Sequence, residues 1–171
     1  MRRYLKHIFR FILLTIIQVF VIDKLPLADG ISPQIYVLFL FGLPFEIKTI
    51  PLMVVAFLGG FFVDVLGGTY GMHTSALLVI AILRPIVFQL FSPREGYDLI
   101  KEPSVADYGL KWYVSIAGIL TFVFHFYFFT LELFSWIFWK EIVLYAIIST
   151  LIALFLILLI QYTFLRKQSM S

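Results

Sequence analysis

The chain has no cysteine, and only 13% of its 171 residues are charged. The first absence rules out disulfides, thiolate metal sites and cysteine nucleophiles. The second matters beside 62% hydrophobic residues and a mean hydropathy of +1.03. Soluble domains carry about 25% charged and about 45–50% apolar residues. A water-soluble core of this length could not hide so much apolar surface, so the expected solvent is lipid. The net charge of +3 is too small to imply nucleic-acid binding, and the bases sit at the ends of apolar runs instead of along one face. Arg2, Arg3, Lys6 and Arg10 precede an apolar run with no small-residue cleavage site after it. That run is expected to remain as a first membrane span instead of being removed as a signal. No nucleophile–base pair, carboxylate dyad, phosphate loop or metal-spaced cluster is visible. The expectation is no enzyme, no cofactor and no metal.

What the chain does have is apolar runs of membrane-crossing length. About 20 helical residues cross about 30 Å of hydrocarbon, which predicts a single all-α integral membrane domain over 1–171. Six spans are expected, at about 8–22, 33–43, 50–66, 73–91, 112–133 and 142–165. The second is short. Eleven helical residues rise only about 16 Å, so it must borrow flanking residues, thin the bilayer or shelter among neighbours. Pro33 suits a helix start, where its missing N–H is harmless.

Six spans place the N-terminus, the 44–49 turn, the 92–111 loop and the C-terminus on one side. Arg2, Arg3, Lys6, Arg10, Lys48, Arg94, Lys101, Lys111, Arg166 and Lys167 then share that side, ten of the 13 bases. Lys24 and Lys140 fall on the other, and Arg84 lies within a span. The positive-inside rule predicts both termini in the cytoplasm. Trp136 and Trp139 suit an interfacial aromatic belt on the far side.

Ionisable groups at membrane depth cost roughly 2.5–3.5 kcal/mol each on insertion scales, so those present need a reason. Ala56, Gly60 and Asp64 recur every four residues and share one helix face. Small residues there predict a close helix-packing seam. Asp64 lies just before the Gly67-Gly68 turn. It either caps that turn or the next helix, a dipole interaction of about 0.3–1 kcal/mol, or makes a required bond to the turn or to His73 where a partner docks. One His beside one Asp falls short of the three or four ligands zinc takes. Arg84 shares a face with His73, eleven residues earlier. It either snorkels toward headgroups, helped by a Pro85 bend, or forms an ion pair or anion site inside the bundle. Gln18 is expected to bond across to a neighbouring helix, worth roughly 0.6–2 kcal/mol. His125 shares a face with Phe122, Phe129 and Glu132, a stripe expected to serve packing.

Phe57–His73, FLGGFFVDVLGGTYGMH, resembles the signature of the MreD family of bacterial rod shape-determining membrane proteins. That signature is a glycine-containing helix ending in Asp, a Gly-rich turn, then Gly, an apolar residue and His. The matching positions are Gly59, Gly60, Asp64, Gly67, Gly68, Gly71 and His73, with Gln18 and Pro33 in further agreement. Gln34 departs, because the family often has an acid after the proline, and any charge-based role there is in doubt. The resemblance implies a non-enzymatic, multi-pass scaffold of the bacterial cytoplasmic (inner) membrane, active in cell shape and peptidoglycan synthesis. Its implied partner is an MreC-like single-span protein. MreB filaments, RodA and its partner transpeptidase would be reached indirectly through the elongation complex, in contact with membrane lipids. Ala56 and the motif residues would then be structural and partner-docking.

The resemblance also implies a six-helix plan shared with the substrate-binding (S) subunits of energy-coupling-factor vitamin transporters. That supplies a rival function. Such subunits need a pocket with convergent polar groups and commonly show an Ala-xxx-Ala surface on the first helix. The first span, 8–22, has neither alanine nor glycine, which counts against transport.

Overall fold

The computed structural model describes residues 2–168, with side chains described for 5–163. In chain order the helices are α1 (Arg2–Phe20), α2 (Val37–Phe41), α3 (Thr49–Gly67), α4 (Met72–Leu90), α5 (Val105–Tyr108), α6 (Leu110–Leu133) and α7 (Trp139–Gln168). Single 3-10 turns, Ile22–Lys24 and Trp136–Phe138, sit after α1 and before α7. No strand occurs among the described residues. Among the described residues five helices are long and apolar enough to cross a membrane: α1, α3, α4, α6 and α7. Their runs of Leu, Ile, Val and Phe become helical for a solvent reason. Lipid offers the main chain no hydrogen bonds, so a lipid-facing segment must satisfy its own.

Sidedness inverts the rule for soluble proteins. Phe57, Leu58, Phe61 and Val65 of α3 are exposed along its outer face, while Gln18, Asp64, His73, Arg84 and His125 are all buried. The central helix is α4, which packs on α3 and α6; α7 packs on α6, and α1 rests against α2 and α3. Burial of oil in oil does not drive this packing, so close approach does. Ala56, Ala76, Ala81, Ala146 and Ala153 are completely buried, giving the helices room to meet.

The expected second span is not a helix of membrane-crossing length. Residues 31–35 have no regular structure, and Pro33 lies in that stretch instead of opening a helix. Only the five residues Val37–Phe41 coil. The segment still runs within the bundle, buried without interruption over 33–44. It touches Gln18 and His73 near one end and Arg84 near the other. Extended residues advance about 3.3 Å each against about 1.5 Å in a helix, so the unwound stretch lengthens the reach of the segment. Shelter among neighbours, one of the three expected ways to accommodate a short span, is what the burial shows.

The basic end is tied together by direct contacts. Lys6 Nζ and Arg10 Nη1 reach Glu102 at 3.2 and 3.0 Å. The Phe45 and Glu46 N–H groups donate to the Lys101 and Leu99 carbonyls at 3.3 and 2.9 Å. The start of α1, the 44–48 turn and the loop after α4 therefore share one end. The loop is docked by aromatics: Phe45 stacks on Tyr97 at 4.4 Å and 8°, and Trp112 Nε1 donates to the Phe91 carbonyl at 2.9 Å. Ser104 caps α5 by accepting from the Asp107 N–H. The Ser104 hydroxyl, with Lys101 alongside, holds the Asp107 carboxyl below its ordinary value against partial burial.

Candidate functional site

A non-helical segment inside a membrane bundle leaves N–H and C=O groups without intrasegment partners, tolerable only where protein supplies them. Four of the five long helices send a polar side chain to the segment. From α1, Gln18 grips it twice: Nε2 donates to the Pro33 carbonyl at 3.1 Å and Oε1 accepts from the Ile35 N–H at 2.8 Å. Gln18 Nε2 also reaches Asp23 Oδ1 at 2.7 Å. From α6, His125 Nε2 accepts from the Gln34 N–H at 3.0 Å. That bond leaves the proton of the neutral ring on Nδ1, which points at the Thr121 carbonyl (2.9 Å) and Thr150 Oγ1 (3.1 Å). From α7, Ser149 Oγ accepts from the Ser32 N–H at 3.1 Å.

Both ionisable groups on one face of α4 serve the same segment at opposite ends. His73 Nδ1 lies 2.8 Å from the Tyr36 hydroxyl. Arg84 donates to the carbonyls of Phe41 (Nε and Nη2, each 3.4 Å), Pro44 (3.3 Å) and Leu43. The first of these ends α2 and the others lie just past it, where a helix C-terminus leaves carbonyls unpaired. Its Cζ also lies 4.6 Å from the Phe88 ring centroid. Arg84 is 2% exposed. It turns inward as a clamp on main-chain carbonyls and does not snorkel to headgroups, and among the described residues it has no carboxylate partner for the expected ion pair. Gln18 likewise bonds the extended segment and not a neighbouring helix.

The α3–α4 hairpin supports the cradle from the side. The Asp64 carboxylate accepts from Thr69 Oγ1 (2.6 Å), the His73 N–H (3.1 Å), the Thr74 N–H (2.8 Å) and the Thr74 hydroxyl. It therefore caps the N-terminus of α4 from the last turns of α3, placing negative charge at the positive helix end. Gly68, at φ +69°, ends α3 by donating its N–H to the Asp64 carbonyl at 2.8 Å, as a left-handed C-terminal residue does. Gly67 lies in the same turn, and Gly71 caps α4.

One face of α3 is filled from within the chain. A Cβ at Gly60 would stand 2.4 Å from Thr74 Cα and 2.8 Å from its N. Ala56 is completely buried on the same face. Gly59 faces the Phe11 and Phe39 rings. The small-residue seam expected to receive a partner's helix therefore holds α4, which leaves no room there for a second one.

The structure thus brings Gln18, His73, Arg84 and His125 together around one segment, with Asp64 fixing the hairpin that carries His73. Tyr36, Ser149, Thr150 and Thr121 belong to the same network and went unremarked in the sequence. Their signal was isolated polar residues in apolar runs. Among the described residues no three His, Cys, Asp or Glu side chains gather as a metal site. No protein-family model, curated protein or solved structure matches the chain. The chemistry on view is therefore its own: donors and acceptors that hold an unwound segment in a membrane bundle.

Proposed function

We propose that this chain is a scaffold of the bacterial cytoplasmic membrane that helps control lateral peptidoglycan synthesis and rod shape. In this reading it resembles MreD and associates with an MreC-like single-span protein. Through that partner it meets MreB, RodA and the transpeptidase. The observation that carries the reading is the hairpin. Gly60, Asp64, Gly68, Gly71 and His73 are the residues of the MreD-like signature, and each has a defined place in one interlocked α3–α4 unit. Both termini are proposed to face the cytoplasm, which puts the docked 92–111 loop on the side of MreB. The partner's helix is proposed to lie on a lipid-facing surface of the bundle, since α4 occupies the α3 seam.

The test is affinity purification of the tagged chain from its native membrane after mild cross-linking, combined with depletion of the protein. The expected results are recovery of a single-span protein with a large extracytoplasmic body, and rounding of the cells. Unchanged cell shape with no such partner refutes the proposal. A stoichiometric vitamin retained through purification replaces it with the transporter-subunit reading.

A further inference from the structure

At the basic end a cleft of about 430 Å³ opens between α1, the 100–107 segment and the last turns of α7. This falls within the range of about 300–1,000 Å³ that ligand sites occupy. Its walls are graded along α1. Lys6, Arg10 and Leu14 follow one another at single-turn spacing on one helix face, each step advancing about 6 Å. Lys6 and Arg10 stand side by side because both reach the same Glu102 carboxylate. Across the mouth stands Lys101, paired with Asp107 at 3.0 Å. Three cations therefore face two carboxylates around the opening. Below them the cleft is apolar, lined by Leu13, Leu14, Leu38 and Ile160. Leu38 belongs to the short α2, so the partly unwound segment forms the deep wall.

We propose that this cleft binds one anionic phospholipid. Its phosphate lies against Lys6, Arg10 and Lys101, and an acyl chain enters over Leu13, Leu14, Leu38 and Ile160. The order of chemistry, cationic at the rim and hydrocarbon one or two turns deeper, is that of a phospholipid from phosphate to tail. Basic pockets between membrane helices commonly take anionic headgroups. A partner's transmembrane helix fits the space poorly. Its diameter is about 10 Å and it needs a groove running the depth of the bundle, whereas among the described residues this cleft meets α7 at Ile160 and Gln161. A free anion would use the rim and leave the apolar wall idle. The site would make lipid charge a ligand that joins α1, α7 and the docked loop. It does not depend on the scaffold reading.

The test is native mass spectrometry of the full-length protein, titrated with phosphatidylglycerol or phosphatidylcholine, with thermal unfolding measured for every variant. Wild type is expected to bind phosphatidylglycerol about fivefold more tightly than phosphatidylcholine, because the three cations are only partly cancelled by the two acids. Lys6→Gln with Lys101→Gln, both half-exposed positions, should remove that preference, weakening phosphatidylglycerol more than phosphatidylcholine, whose choline already offsets its phosphate. Leu13→Trp, which fills the apolar wall, should weaken both lipids. Inorganic phosphate at the same concentration should not displace the lipid. Equal binding of the two lipids by wild type overturns the proposal. So does a full preference retained by the double variant, or displacement by phosphate alone.

Discussion

Replacing Arg84 tests whether the cradle holds the chain together. Arg84→Met keeps length and apolar bulk but removes every donor. The Pro44 carbonyl retains the Ile47 N–H at 3.4 Å, so the Phe41 and Leu43 carbonyls are the ones deprived of a charged donor. A buried carbonyl left unpaired costs about 1–3 kcal/mol, which gives roughly 2–6 kcal/mol for two. Loss of the Phe88 ring contact adds up to about 2 kcal/mol for a desolvated pair. Against this, removing the charge returns the roughly 2.5–3.5 kcal/mol that its burial costs. The expected net destabilisation is about 3 kcal/mol, in line with breaking one side of a buried charged contact. Arg84→Lys separates the possible roles. A lysine snorkels as well as an arginine, but one ammonium cannot reproduce a planar fork spread over three carbonyls. It should cost about 1–2 kcal/mol. The assay is reversible unfolding in mixed micelles titrated with dodecyl sulfate, with hydrogen exchange read at 41–44. Stability of Arg84→Lys within about 0.5 kcal/mol of wild type, with unchanged protection at 41–44, would refute the carbonyl clamp and restore snorkelling.

Two further outcomes follow from the hairpin and the loop. Gly60→Ala should destabilise by about 1–3 kcal/mol, because the added methyl meets Thr74 main-chain atoms at 2.4 and 2.8 Å and a backbone cannot swing aside. A variant as stable as wild type in the same unfolding assay would mean that α3 and α4 pack less closely than described. At the basic end, the Asp107 carboxyl titrates below its ordinary value in the folded loop. Its contribution is therefore present above the unfolded-state pKa and lost as pH falls through the folded one. The stability gap between wild type and Asp107→Asn should narrow toward zero on acidification. A gap that stays constant between pH 7 and pH 3 counts against the Ser104–Asp107–Lys101 arrangement.

Much of the helical plan was legible because lipid makes it simple. The expected spans 50–66 and 73–91 differ from α3 and α4 by one residue at each end. Long apolar runs have no other way to satisfy their main chains. Asp64 was legible as a cap because an acid beside a glycine pair has few alternatives at a helix turn. Gln18, His125 and Arg84 could be picked out as anomalies, but the shared cause could not be named. Their common partner is the backbone of 32–44, and main-chain atoms leave no trace in a sequence. The segment itself misled for a related reason: Val37–Phe41 is the helix expected, and only the neighbours' side chains make the unwound stretch before it affordable.

Composition and periodicity by themselves determined that the chain forms helices long and apolar enough to cross a membrane, and that these expose apolar faces outward. These follow from transfer energies residue by residue, and such terms add along a chain. Tertiary structure alone decided three things. Arg84 points in and not out, the Ala56–Gly60–Asp64 face receives α4 and not a partner, and the polar residues form one cradle and not scattered sites. Each depends on which group stands opposite, and pairing across more than a dozen residues of sequence is set by packing in three dimensions.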